Sequence, residues 1–356
     1  MGEKILVVNP GSTSTKIAMY EGEESLWDED VGHSLEELSA FHEILDQVDM
    51  RYGLVEKTVK EKGYDFSCLD AVMSRGGPFA SVESGAYEIG EAMLEKMRTD
   101  PIDQHASNTG MEIAYRIAQQ EGIKAYIYDA ITVDEMVPVA QIVGMKGMRR
   151  RGQGHNLNMR GAALELCRQQ GWDYRAKSIL ICHLGGGITL SLHQDGRIVD
   201  IISDDEGPFS PERAGGLPNF QLIDLCFEEG MTKKEVLRRF QRAGGFISLL
   251  GTSDSREIER RVDAGDEEAR LASEAMALNV AKNIAKLSVV TCGKIDAIIL
   301  TGGMARWEGF TAMVRGRVSF IAPVHILPGE NEMEELAFGG LRVLRGEEEA
   351  KQYRPG

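Results

Sequence analysis

Closely spaced cysteines are missing from this 356-residue sequence. The five cysteines are scattered along the chain, which argues against both a zinc site and a disulfide framework. They are Cys68, Cys167, Cys182, Cys226 and Cys292. We therefore expect a reducing, cytoplasmic environment.

Long apolar runs and an excess of positive charge are also missing. The apolar run at 5–8 is much shorter than a signal-peptide core, and no run reaches membrane-spanning length. The 56 acidic residues outnumber the 40 basic ones, and the formal charge of −16 would repel a nucleic-acid backbone. The basic cluster at 148–151 is too short for a nucleic-acid face and is interpreted as a solvated turn or a local anion site. Membranes and nucleic acids are therefore not expected partners.

Two common nucleotide-binding motifs are absent as well. No Gly-x-x-x-x-Gly-Lys-Ser/Thr loop occurs, and no Gly-x-Gly-x-x-Gly leads from a strand into a helix. The chain instead has three turns rich in Gly, Ser or Thr after apolar runs, at 9–15, 183–187 and 301–303. Such turns expose backbone N–H groups with little side-chain bulk, so an oligophosphate can approach closely. One turn alone is more often an ordinary hairpin, but three favour a nucleotide held across a cleft.

The order of apolar and helical segments predicts an α/β protein. The length favours two domains, and two similar hairpins half a chain apart indicate a duplication. Strands are predicted at 71–73, 125–128 and 297–300. Helices are predicted at 34–48, 90–97, 108–120, 157–169, 220–229, 232–243, 267–290 and 332–344.

Eight segments distributed over the whole chain resemble butyrate kinases, in the acetate kinase and butyrate kinase family. They are Asn9–Lys16, Ser74–Gly77, His105–Asn108, His183–Gly187, Gly207–Pro218, Leu250–Thr252, Thr301–Gly303 and Pro328–Glu332. The resemblance implies duplicated ribonuclease-H-like domains with an interdomain cleft, the fold of acetate and sugar kinases, heat-shock ATPases and actin. It also implies an N-terminal lobe of 1–156 plus 333–356 and a C-terminal lobe of 157–332.

The activity implied by the resemblance is phosphorylation of a short-chain fatty acid by ATP with Mg²⁺, giving acyl phosphate and ADP, and the reverse reaction. A carboxylate is already a nucleophile, so positioning and electrostatics carry the catalysis. A sugar or polyol kinase with Asp129 as base and a non-catalytic nucleotide-binding regulator are the alternatives. The loop around Arg213 and the lack of a polar sugar-binding motif argue against the sugar kinase. A homodimer or higher homo-oligomer is implied by resemblance alone.

Four residues are expected to act in catalysis. They are Arg75, Asp129, His155 and Arg213. The fork of arginine suits carboxylate and phosphate, although surface ion pairs would explain both arginines without the resemblance. By resemblance His155 steadies charge on the transferring phosphoryl group; a surface or helix-cap histidine is the alternative.

Two carboxylates are candidates for the Mg²⁺ site, in line with the preference of this ion for few carboxylates and several waters. Asp129 ends a predicted strand, and the family uses the matching residue at the metal or its waters. Glu332 is the second candidate, with Glu334 and Glu335 as neighbouring registers and an exposed helix-start glutamate as the alternative.

The remaining site residues are assigned to ATP or to the acyl group. The ATP-binding candidates are Asn9, Ser12, Ser14, Lys16, His183, Gly185, Gly186, Gly187, Asp254, Arg256, Gly302, Gly303 and Met304. The acyl-site candidates are Arg75, Gly154 and Arg213. Related butyrate kinases carry a bulky aromatic residue where Gly154 stands, so a wider pocket is expected, with C4–C5 or branched acids accepted better than acetate.

Overall fold

The computed structural model describes residues 2–330 and 332–355. Two compact units emerge from its contacts. The first contains the described residues up to Asp134 and those from Glu332 onwards, and the second contains Glu135–Glu330.

The described part of the chain contains twelve strands and twelve α-helices. The strands are β1 Lys4–Pro10, β2 Ser14–Glu21, β3 Glu24–Gly32, β4 Ala71–Arg75, β5 Ala86–Glu88, β6 Lys124–Tyr128, β7 Ile179–Leu184, β8 Ile188–Gln194, β9 Arg197–Ile202, β10 Ala297–Gly302, β11 Val324–Pro328 and β12 Lys351–Gln352. The helices are α1 Leu35–Ser39, α2 Val48–Glu61, α3 Glu91–Thr99, α4 Ser107–Glu121, α5 Asn156–Gln170, α6 Asn219–Cys226, α7 Lys233–Arg242, α8 Gly245–Leu250, α9 Ser255–Asp263, α10 Glu267–Ser288, α11 Glu308–Val318 and α12 Glu332–Leu344.

Each unit is built around one sheet, and the two sheets share a strand order. The first sheet runs β12-β5-β6-β4-β1-β2-β3 and the second runs β11-β10-β7-β8-β9. In both, three antiparallel strands are followed by two strands parallel to the first of them. This repeated order confirms the predicted duplication of a ribonuclease-H-like domain.

The first sheet has a core strand that is buried on both faces. Residues 5–8 of β1 have no exposed surface, as expected for a strand between helical layers. Helices α4 and α12 both pack on β1 and β4. A Cβ at Gly340 of α12 would lie only 2.9 Å from the Sδ of Met73 in β4, so α12 lies very close to the sheet.

Residues 135–156 were predicted to belong to the N-terminal lobe, but their contacts lie in the second unit. The Ile198 N–H donates to Glu135 Oε2 at 2.7 Å, and the Val137 N–H donates to the Val199 carbonyl at 2.9 Å. Both bonds attach the segment to β9. The compact units therefore divide after Asp134, whereas the lobes of the prediction divide after residue 156.

Some elements differ from the predicted segments. The helix predicted at 34–48 is a short α1, started by a capping box at Ser34, and a separate 3-10 turn over Ile44–Gln47. Helix α2 was missed, because its buried side includes Arg51 and Thr58 and its apolar periodicity is weak. Strands β3, β5, β11 and β12 and helices α8, α9 and α11 were missed as well.

His193 of β8 is a fully buried, neutral side chain in the second unit. Its Nε2 lies 2.9 Å from Ser191 Oγ and its Nδ1 lies 2.9 Å from the Tyr174 hydroxyl. Burial, with a smaller effect of the Arg160 charge, lowers the pKa of His193 to about 3. Between its unfolded pKa near 6.5 and this value, the unfolded chain binds the proton and the folded chain does not.

We expect folding stability to fall as the pH drops below about 6.5, and His193→Gln to make that fall shallower. The largest possible difference in slope is about 1.4 kcal/mol per pH unit, since one proton is involved. Urea unfolding of both proteins from pH 7.5 to 5 measures it. Equal slopes would mean that His193 does not contribute to the pH dependence.

Candidate active site

The first Gly/Ser/Thr turn connects β1 to β2 in the first unit. The Gly11 N–H donates to the Ser14 carbonyl at 2.8 Å, which closes the turn. Asn9 is buried at the strand end, Ser14 is half-buried, and Ser12 and Lys16 are exposed. Ser12 and Lys16 are therefore accessible to a ligand, and Asn9 is held in place.

Three predicted site residues of the first unit meet at the strand ends. The Asn9 amide Nδ2 donates to Glu332 Oε2 at 2.9 Å, and Arg75 Nη1 lies 2.5 Å from Glu332 Oε1. Arg75 ends β4, which is parallel to β1, so the carboxyl ends of both strands lie at one edge of the sheet. The Arg75 Nε–H is buried and has no hydrogen-bond partner in the described part of the chain. This guanidinium therefore retains a donor that an anion could use.

The segment after Arg75 packs on the start of α4. A Cβ at Gly77 would lie 1.8 Å from Asn108 Oδ1, so this contact requires glycine. Asn108 donates from Nδ2 to the Asp103 carbonyl at 3.2 Å, while its Oδ1 is buried and without a partner among residues 2–330 and 332–355. Burial, and then the nearby Arg75 charge, lower the pKa of His105. Asn108 therefore lies directly beside the segment that follows Arg75, and no role was predicted for it.

Asp129 follows β6 and is buried in a left-handed conformation, with φ of 43°. Its Oδ1 accepts a hydrogen bond of 2.7 Å from the Gly85 N–H. A non-glycine residue in this conformation is strained and is often found at functional sites. The carboxylate is therefore rigidly held.

The second glycine turn connects β7 to β8 in the second unit, and side chains lie directly on it. The Gly185 N–H donates to the Gly187 carbonyl at 3.1 Å. A Cβ at Gly185 would lie 2.8 Å from His183 Nε2, and one at Gly187 would lie 2.7 Å from Arg213 Cζ. Larger residues would displace the imidazole or the guanidinium, so the turn combines the exposed Gly186 with two cationic or polar groups that lie on its buried glycines.

The Arg213 loop is fixed to the same turn. The Ser210 hydroxyl donates to the Gly186 carbonyl at 2.6 Å, and the Glu212 N–H donates to it at 3.2 Å. The Arg213 guanidinium also pairs with Asp204. Asp204 was not identified from the sequence.

His155 and His183 are stacked, with ring centroids 3.9 Å apart and planes inclined by 10°. The Asn158 Nδ2 donates to the Gly329 carbonyl at 3.2 Å, so its Oδ1 faces His183 Nδ1 at 2.7 Å and accepts from it. The Nε2 of His183 lies 3.1 Å from Glu330 Oε1. Asn158 therefore orients His183, and Glu330 lies close to its other ring nitrogen, which makes no hydrogen bond in the described part of the chain. Neither residue was predicted.

The other histidine of the stack is oriented by a hydroxyl. His155 Nδ1 lies 2.9 Å from Thr189 Oγ1. Thr189 is the second residue of β8, just after the glycines. It is buried and was not predicted as a site residue. This contact fixes the orientation of the His155 ring.

Gly154 has no open space at its Cβ position. A Cβ there would lie 2.8 Å from Ile201 Cδ1 and 3.3 Å from both Met159 Cε and Thr189 Oγ1. The space that a side chain at position 154 would occupy is therefore filled by other side chains of the second unit. This packing does not provide the wider acyl pocket that the sequence suggested.

The third glycine turn follows β10. Gly302 has φ of 88°, and a Cβ there would lie 2.4 Å from the Leu184 carbonyl, so glycine is required. Gly303 has open space around its Cβ position, whereas the Met304 side chain is buried in the core. Of these residues, Gly303 offers an accessible surface.

The predicted adenine-side residues Asp254 and Arg256 lie at the start of α9. Asp254 caps this helix by accepting from the Arg256 N–H at 2.9 Å, and this bond is the main cause of its lowered pKa. The Arg256 side chain is 87% exposed. The structure therefore explains Asp254 as a helix cap.

Arg150, from the basic cluster at 148–151, is neither a solvated turn residue nor a free anion site. It pairs with Asp200 at 2.9 Å and with Glu206 at 2.7 Å. Burial raises the pKa of Asp200, and the Arg150 charge opposes that shift. Arg150 therefore anchors its segment to β9 and the loop that follows it.

A metal site formed by protein ligands alone is not found in the described ranges. No three His, Cys, Asp or Glu side chains there are grouped closely enough to hold a metal ion.

No helix in the described ranges is long and apolar enough to cross a bilayer.

Comparison with known proteins identifies the class. Residues 145–321 match the model of the Acetokinase family. The chain is 42% identical over 355 residues to a "Probable butyrate kinase" from Listeria innocua serovar 6a, covering 99% of this chain and 100% of that protein.

Two crystal structures share the fold. The acetate kinase of Porphyromonas gingivalis aligns with a TM-score of 0.80 and 19% identity, over 96% of this chain and 100% of that one. A propionate kinase from Francisella tularensis subsp. tularensis SCHU S4 aligns with a TM-score of 0.73 and 17% identity, over 95% of this chain and 98% of that one. The fold is therefore the duplicated ribonuclease-H-like fold of these kinases, as predicted.

The chain belongs to the acetokinase family, which confirms the resemblance found in the sequence. It is accordingly a phosphotransferase with a carboxyl group as acceptor, in a family that uses ATP. The sugar-kinase alternative is thereby rejected.

We expect Glu332→Gln to lower kcat by roughly 10- to 100-fold, a loss typical of altering a group that orients metal or catalytic ligands. The neutral amide cannot form the ion pair that holds Arg75. Glu334→Gln, two residues along the same helix, is the matched control and should stay within about twofold. Steady-state phosphoryl transfer measures kcat for both variants. A larger loss in Glu334→Gln would assign the role of metal-site carboxylate to Glu334 instead of Glu332.

Proposed function

We propose that this chain phosphorylates a short-chain fatty acid, butanoate or a branched C4–C5 acid, with ATP and catalyses the reverse ATP-forming reaction. The observation that carries the proposal is the Arg213 guanidinium packed on Gly187, which joins a phosphate-type turn to a fork-shaped cation. The relative with 42% identity, named a probable butyrate kinase, supports this choice of acid.

The proposed reaction is a direct in-line transfer. A carboxylate oxygen of the acid forms a bond to the γ-phosphorus of ATP as the bond from that phosphorus to the β–γ bridging oxygen breaks, and ADP leaves. No proton has to be removed from the acceptor, so the protein acts by positioning and charge stabilisation. Arg75 and Arg213 bind the carboxylate and the phosphoryl group, and His155 stabilises charge on the latter.

The nucleotide is proposed to use the glycine turns. The phosphates are assigned to the turn with Asn9, Ser12, Ser14 and Lys16 and to the turn with His183 and Gly185–Gly187. The nucleoside is assigned to Gly302–Met304, Asp254 and Arg256. The exposure of Ser12, Lys16 and Gly303 supports these roles more strongly than the buried Met304 side chain does.

Mg²⁺ is proposed to be held by Asp129 and Glu332 together with water and phosphate oxygens. Hard carboxylate oxygens in small number fit this ion, which keeps several waters and rarely has an all-protein cage. When bound, it neutralises negative charge on the nucleotide phosphates. We also propose a cytoplasmic location, from the scattered cysteines, and a homodimer or higher homo-oligomer, from the family resemblance.

We expect acyl phosphate formation to peak at butyrate or a branched C4–C5 acid in a panel from acetate to valerate plus isobutyrate, trapped as hydroxamates. Arg213→Ala should lose roughly 10²- to 10³-fold in kcat, since it removes a preorganised positive charge. Arg238→Ala, an exposed arginine of α7, is the control. A higher kcat/KM for acetate would contradict the chain-length preference, and ATP binding without turnover on any acid would favour the non-catalytic alternative.

A substitution at Gly154 separates packing from an acyl-pocket role. Gly154→Ala should cost about 1–3 kcal/mol of stability through overpacking against Ile201, and Ile201→Val should restore most of it by removing Cδ1. Thermal unfolding and the butyrate-to-acetate ratio of kcat/KM are measured for the single and double variants. An unchanged ratio is expected, and a changed ratio in the stable double variant would assign Gly154 to the acyl pocket.

A further inference from the structure

Arg51 of α2 is a fully buried cation in the first unit. Its side chain is among the largest with no exposed surface in this protein. Burying a charge is costly unless hydrogen bonds and counter-charges compensate for it. A buried arginine therefore calls for an explanation.

The hydrogen-bond partners of Arg51 are all electrically neutral. Its Nε and Nη2 donate to Gln47 Oε1 at 3.1 and 2.9 Å. Its Nη1 donates to the Ser14 carbonyl at 3.1 Å and to Thr15 Oγ1 at 2.8 Å. Among residues 2–330 and 332–355, no carboxylate forms an ion pair with it. Burial lowers the pKa of Arg51, but a guanidinium stays protonated at neutral pH.

Two of these partners belong to the first glycine turn. The Ser14 carbonyl that accepts from Arg51 also accepts from the Gly11 N–H at 2.8 Å, and so closes the turn. Thr15 Oγ1 lies 2.8 Å from His33 Nε2, and the His33 N–H donates to the Thr13 carbonyl at 2.7 Å. Arg51 therefore supports the turn from inside the protein, on the buried side, while Ser12 and Lys16 are exposed.

We propose that Arg51 is a positioning residue that holds the turn at 11–15 in its conformation and adds positive potential beneath it, thereby strengthening binding of the nucleotide phosphates. The inference rests on the proposed function, since it takes this turn to bind phosphate. A cation without a buried counter-ion acts over a longer range than a paired one, because no opposite charge cancels its field. The effect therefore grows with the charge of the ligand.

The test compares Arg51→Met, which keeps the length but removes the charge, with Arg51→Lys, which keeps the charge. Titration calorimetry on the full chain gives the Kd of ATP, ADP and adenosine, and thermal unfolding reports folding. Arg51→Met should raise the Kd of ATP about tenfold, raise that of ADP less, and leave that of adenosine within about twofold. Arg51→Lys should recover part of the loss, and Arg116→Met, an exposed arginine of the same unit, should change nothing.

Several outcomes would overturn the inference. An unchanged Kd of ATP in a folded Arg51→Met protein would do so, as would an equal loss for ATP and adenosine. If Arg51→Met does not fold, Thr15→Val is measured in its place. This variant removes only the hydroxyl that Arg51 and His33 share, and it should raise the Kd of ATP but not that of adenosine. Failure of the proposed function is distinguishable, because it would appear in the unmodified chain as absent ATP binding or absent turnover.

Discussion

In both units, the geometry of the candidate site depends on side chains that pack directly against the backbone of glycines near strand ends. At Gly187 the space of a side chain is taken by the Arg213 guanidinium, and at Gly77 it is taken by Asn108. Because any Cβ would collide with these groups, glycine determines how closely functional groups approach the backbone. The same contacts hold Asn108 and Arg213 at fixed positions on the backbone.

The buried and half-buried arginines are stabilised in different ways. Arg75 and Arg213 each pair with one carboxylate, Glu332 and Asp204. Each pair fixes the orientation of its guanidinium group. In the proposed reaction, this preorganisation reduces the entropy lost when the arginines bind their ligands. Arg51 has neutral partners, so its charge contributes to the field at the first turn.

The two sheets have the same strand order but carry different site chemistry. The first unit places Asn9, Arg75 and Glu332 at the ends of parallel strands, and the second places stacked His155 and His183 beside its glycine turn. The duplicated fold therefore provides equivalent turns, while the side chains around each turn differ. Fold alone does not decide function here, and family membership rests on the sequence relatives.

Sequence patterns identified the strands next to the glycine turns, because apolar runs followed by small residues are local signals. They missed α2, whose buried side carries Arg51 and Thr58 instead of an apolar stripe. They also missed Asn158 and Glu330 as neighbours of His183, since residues 25 and 147 positions away in the chain cannot be paired from local spacing. A wider pocket was predicted from the small size of Gly154. Only the structure showed that Ile201 packs where its side chain would be.

The sequence by itself determined the α/β class, the duplication, the three glycine turns and the acetokinase family, because each is encoded in contiguous residues. The tertiary structure alone decided that Glu332 holds Arg75, that the two histidines stack, and that Gly154 is filled by Ile201. These facts depend on which side chains meet after folding. Such meetings are fixed by the packing of distant segments, for which a local pattern carries no signal.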